Sequence, residues 1–84
     1  TIYVDNNLLR ARRTALGQAI RSARLERNMT QANLSVLLGV PQSWISNVEA
    51  GVRRVDIAEL MTLAPILGVS TLDLIAAMEA EVNQ

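Results

Sequence analysis

The chain has 84 residues, 50% hydrophobic and 19% charged, which suits one small domain with a compact core. It holds no Cys and no His, so disulfide frameworks, thiol or imidazole chemistry and any ordinary zinc site are excluded. Net charge is zero, yet the distribution is uneven. All eight basic residues are Arg and lie in residues 1–54 with three acids, a net of +5. Residues 55–84 carry five acids and no base, a net of −5. A chain so polarised can turn one face to a polyanion and another to a partner.

Leu, Val, Ile and Ala make up nearly all the apolar content, with no Phe, one Trp and one Tyr. Together with only four Gly and two Pro, this points to helices rather than a sandwich or barrel. No apolar run approaches the length of a membrane span, and no basic-then-apolar leader opens the chain, so a cytosolic protein is expected.

Residues 1–4 are β-prone and read as an extended segment ending at Asp5-Asn6-Asn7. A helical stretch follows, with Leu9, Leu16, Ile20 and Ala23 near one face; Thr14 offers a second start within it, so one helix or two are both open. Asn28 ends the stretch. Thr30 caps a second helix with Leu34, Leu37 and Leu38 as its apolar stripe, and Gly39 stops it. After the Val40-Pro41 turn, a third helix spans about 42 to 50, with Ile45 and Val48 turned inward. Asp56 and Glu59 form a capping box for a fourth helix carrying Leu60, Leu63, Ala64 and Leu67. Pro65 is expected to kink that helix or loosen its preceding turn. Ser70 and Asp73 repeat the box for a fifth helix containing Leu72, Ile75, Ala76 and Val82. The expected fold is all-α, a small orthogonal bundle of five helices. Its parts are an N-terminal extension (1–13), a helix-turn-helix domain (14–78) and a C-terminal tail (79–84).

Residues 30–51 are the informative part. Two short helices joined through Gly39 make a helix-turn-helix. Gln42, Ser43, Ser46 and Asn47 give the second of them a polar face. Gln and Asn can bond adenine in bidentate fashion, and Ser suits several bases.

With Gln31-x-x-Leu34, Gly39-Val40, Ile45-Ser46-x-x-Glu49-x-Gly51 and Leu67-Gly68-Val69-Ser70, the chain resembles the phage repressor and Cro (Xre-type) helix-turn-helix family over roughly residues 16–75. The resemblance implies a lambda-repressor-like DNA-binding domain. It implies that Gln42, Ser43 and Asn47 read bases, and Ser46, on the same polar face, is counted with them. Gln31, with Thr30 before it, falls where the family contacts phosphate at a helix N-terminus. Arg53 and Arg54 fall in the loop that follows the phosphates. Arg24 and Glu49 match a buried ion pair tying helix one to the end of the recognition helix. Trp44 departs from the pattern: its ring is assigned to the sugar-phosphate backbone, with a thymine methyl or sideways packing on the body as alternatives. Arg10, Arg12 and Arg13 read more readily as a solvated face than as DNA contacts.

The function implied is a sequence-specific double-stranded DNA-binding transcriptional regulator, a repressor by first choice, acting as a homodimer on a near-palindromic operator. It would be cytoplasmic and associated with the nucleoid through DNA. The dimer face is expected on helix five (Leu72, Leu74, Ile75, Met78), with Ile2, Tyr3 and Val4 as the alternative strand-forming segment. A restriction-modification controller and an antitoxin-type autorepressor are alternatives within the class, the latter with a toxin or antirepressor as protein partner. A protein-interaction module without specific DNA binding is the alternative outside it. No enzyme is expected, because Asp56, Glu59 and Asp73 are accounted for as helix caps and no phosphate loop or acid cluster is present. No motif calls for a metal or cofactor. The length leaves no room for an effector-sensing domain, so control by concentration or by a protein partner is expected.

Overall fold

Helices begin where a side chain can accept the free N–H groups of a first turn. In the computed structural model, which describes residues 5–82, Asp5 accepts from Asn7 and Leu8 and opens α1 (Asn6–Glu26). Thr30 opens α2 (Gln31–Leu38) through a reciprocal box in which Asn33 is the partner, each bond being 3.0 Å. Then α3 (Gln42–Glu49) starts after Pro41, which supplies no side-chain cap. The expected boxes at Asp56–Glu59 and Ser70–Asp73 are both formed and open α4 (Ile57–Ile66) and α5 (Thr71–Val82).

The first stretch is therefore one helix, with Thr14 in its middle. It stops where Asn28 takes a left-handed conformation (φ 56°) and Met29 N–H closes on the Arg24 carbonyl at 3.1 Å. Gly39 ends α2 at φ 76°, and a Cβ there would meet nothing, so its role is conformational. Pro65 does not break α4. It stands one residue from the helix end and removes a single donor, and Leu67 N–H resumes the pattern to Leu63 at 3.2 Å. The boundaries drawn at 13/14 and 78/79 both fall inside helices, within α1 and α5.

The core gathers Ile20, Leu34, Ile45, Val48, Leu60, Leu63, Leu67 and Leu74 from all five helices. Three apolar positions are not where the sequence reading puts them. Leu37 is 61% exposed, because α2 packs through Leu34, Ser35 and Leu38 and that register turns residue 37 outward. Leu9 is exposed because it lies on the first turns of α1, away from the core cluster. Leu74 is 3% exposed and belongs to the chain's own core against α1, so it cannot serve a dimer face. Leu72 is 75% exposed, while Ile75 and Met78 are half-buried. The strand-forming alternative, Ile2, Tyr3 and Val4, lies outside the described residues. Among the described residues, no single helix is long and apolar enough to cross a membrane.

Candidate nucleic-acid interface

α3 is amphipathic over only two turns. Ile45 and Val48 go into the core, while Gln42, Ser43 and Asn47 are exposed together on the outer face. Ser46 is different: it is half-buried and its hydroxyl donates to the Ser43 carbonyl at 3.1 Å. That bond uses the hydroxyl proton and leaves the oxygen's lone pairs as acceptors.

The C-terminal end of α3 is anchored by a buried charge network. Arg24 of α1 donates from Nε to Glu49 Oε2 at 2.6 Å and from Nη2 to Oε1 at 2.9 Å. Its Nη1 donates to the Met29 carbonyl at 2.7 Å, which ties in the α1–α2 turn. Hydrogen bonding to Glu49 raises the Arg24 guanidinium above its ordinary pKa, against the opposing effect of burial. Gln31, at the start of α2, donates from Nε2 to Glu49 Oε1 at 3.1 Å. Its amide is thus oriented by the same carboxylate, with the carbonyl oxygen and a second N–H unspent. Gly17 completes the junction. A Cβ there would stand 2.5 Å from the carbonyl oxygens of Val48 and Glu49, so α1 and α3 approach as closely as backbone permits. Gly51 meets Thr14 of α1 just beyond.

The other end of α3 has an exposed counterpart. Arg53 lies over the Trp44 ring, 4.4 Å from its centroid. Its guanidinium pairs with Glu59 at 3.1 Å and also donates to the Arg54 carbonyl. Glu59 meanwhile accepts from Asp56 N–H at 3.0 Å in the α4 capping box. The Arg53 hydrogen bond, followed by the Asp56 N–H, holds the Glu59 carboxyl below its ordinary range. Trp44 is half-buried and packs against the core, so its ring turns to the body and not outward with Gln42 and Ser43.

The residues singled out in the sequence therefore separate into groups. Gln42, Ser43 and Asn47 share the exposed face of α3, and Arg54 is exposed in the following loop. Thr30 is exposed, with its hydroxyl accepting the Asn33 N–H. Arg53 and Trp44 face each other. Arg10 and Arg12 are exposed on α1 and Arg13 is half-buried. Sequence reasoning missed Gly17, although a lone Gly inside a helical pattern is itself a signal of close packing. It also missed the second role of Glu59, for which no local spacing rule exists.

The pattern of a family described as helix-turn-helix matches residues 20–74. Among solved structures, the chain is similar to the clp gene regulator ClgR from Corynebacterium glutamicum, at 28% identity and a TM-score of 0.81, over 86% of this chain and 77% of that one. It is similar to the restriction-modification controller protein C.AhdI from Aeromonas hydrophila, at 30% identity and a TM-score of 0.69, over 73% of this chain and 92% of that one. A third neighbour is the controller protein C.Esp1396I, solved as a tetramer in complex with its natural 35 base-pair operator. There the identity is 25% and the TM-score 0.74, over 95% of this chain and 100% of that one. Among curated proteins, none matches the chain.

Proposed function

The chain belongs to the helix-turn-helix family, and from that premise we propose that it is a sequence-specific double-stranded DNA-binding transcriptional regulator. The observation that carries this reading is the construction of α3. Three exposed polar side chains, Gln42, Ser43 and Asn47, sit on a short helix whose opposite face is buried and whose end is pinned by Arg24–Glu49. A helix so held can enter a major groove with its first turn toward the bases. Gln42, Ser43 and Asn47 read base edges, with Ser46 contributing through its free lone pairs. Thr30, Gln31 and Arg54 meet phosphate, where the α2 N-terminus adds its own partial positive charge. The five acids after residue 55 belong to α4, α5 and the α4 cap.

One short helix reads only a few base pairs, so the regulator acts as a homodimer on a near-palindromic site in the cytoplasm. Leu72, Ile75 and Met78 of α5 are the residues offered for that dimer. A repressor is the first choice. A restriction-modification controller is the second, favoured by the end-to-end alignment with C.Esp1396I. The solved neighbours are named as regulators or controllers.

The test is selection of bound duplexes from a random-sequence library at about 150 mM salt. A two-fold symmetric motif is the expected result, and its spacing reports the dimer geometry. Gln42→Ala then costs about 1–3 kcal/mol on the selected site and little on random DNA. Recovery of no motif would overturn the regulator reading.

A further inference from the structure

Among the described helices, α3 stands apart in how it starts. Asp5, Thr30, Asp56 and Ser70 each accept a backbone N–H of the first turn that they precede, whereas Pro41 makes no such bond. Yet the first turn of α3 carries Gln42 and Ser43. A turn without a local cap needs another hold if it is to present those side chains at a fixed angle. Trp44, the third residue of the helix, supplies one. It packs against the core and lines a groove with Leu38, Val40 and, from α4, Ala58, Glu59 and Thr62.

Arg53 completes the arrangement. Its cation covers the indole, its N–H groups reach both Glu59 oxygens at 3.1 and 3.4 Å, and Glu59 is itself fixed to the Asp56 N–H. A phosphate approaching this guanidinium would meet the Glu59 carboxylate as well, and like-charge repulsion would cancel much of the attraction. We infer that Arg53 is a positioning residue and not a phosphate ligand. Through Trp44 and Glu59 it locks the first turn of α3 to the start of α4, and so sets the angle at which Gln42 and Ser43 meet the bases. This rests on the reading of α3 as the recognition helix.

The two roles of Arg53 predict opposite responses. The whole chain is titrated with its selected duplex and with a random duplex over a range of salt, as wild type, Arg53→Lys, Arg53→Ala and Glu59→Gln. Lys keeps the charge but loses the planar stacking, and Gln at this capping position keeps the box while removing the charge. As a positioning residue, Arg53 is not replaced by Lys. Arg53→Lys and Glu59→Gln each weaken the selected duplex about three- to tenfold, leaving the random duplex within about twofold. The salt slope of Arg53→Ala stays at the wild-type value. The chain's single Trp gives an independent readout, its emission shifting to the red in unbound Arg53→Ala as the ring loses its cover. Full affinity in Arg53→Lys, tighter binding in Glu59→Gln, or a salt slope lower by about one in Arg53→Ala would each overturn the inference. A wild type with no preferred duplex would overturn the recognition-helix reading, and this one with it.

Discussion

Two arginine–glutamate pairs stand at opposite ends of α3, made of the same two side chains in different surroundings. Arg24–Glu49 has side chains only 7% and 4% exposed, and every contact lies within the body. Arg53–Glu59 is 36% and 33% exposed, and solvent competes for each of its bonds. The first pair bridges residues 25 apart in sequence, from α1 to the end of α3, and cannot come apart without stranding a charge in the core. The second joins a loop to the helix it precedes, six residues on, and separates without loss of the fold. Charge pairing therefore acts in two ways here. The dry pair makes the position of α3 part of folding, whereas the wet pair adjusts that position after folding.

The contrast breaks most severely at the buried end. Arg24→Ala leaves the Glu49 carboxylate unpaired and is expected to cost about 3–5 kcal/mol in urea denaturation. In so small a domain that is a large share of the total stability. Gly17→Ala comes next. Alanine is the better helix former by about 1 kcal/mol, but its methyl would press on the Val48 and Glu49 carbonyls at 2.5 Å. Overpacking wins, and a net loss of about 1–3 kcal/mol is expected by thermal or urea unfolding.

The wet pair gives a smaller, pH-dependent effect. Arg53 holds the Glu59 carboxyl below its ordinary range, so the stability from this pair is present above that range. It is lost as pH falls through the lowered value. Wild type is therefore expected to show a higher urea midpoint than Glu59→Gln at neutral pH, and the two midpoints should converge as Glu59 protonates. The smallest change is expected at Leu37, whose exposure makes Leu37→Gln neutral within about 0.5 kcal/mol of wild type, against about 2–5 kcal/mol for Leu34→Ala one turn away.

That last pair shows where reading the sequence stops. Residues 34, 37 and 38 satisfy a helical stripe equally well, and α2 is too short for periodicity to choose among them. The choice comes from α3 and α4, which close over Leu34 and Leu38 and leave Leu37 to solvent. Leu72 and Leu74 are sorted in the same way by α1. The site divides similarly. The exposed trio Gln42, Ser43 and Asn47 was legible because Ile45 and Val48 set the inward face of a two-turn helix. The engagement of Arg53 was not, because an arginine in a loop carries no local signal of what it will stack on.

Apart from the Arg24–Glu49 pair, which the family resemblance supplied, the features readable from the residues themselves are those whose cause lies within four residues. The capping pairs at Asp56–Glu59 and Ser70–Asp73, the stop at Gly39, and the polar face of α3 all satisfy backbone groups or faces of their own helix. The tertiary structure alone decided what depends on where helix axes cross. It placed Gly17 against the α3 carbonyls, Leu74 in the core, and Arg53 over Trp44. These are contacts across a packed interface, and their geometry is set by the summed shapes of five helices, which no single segment contains.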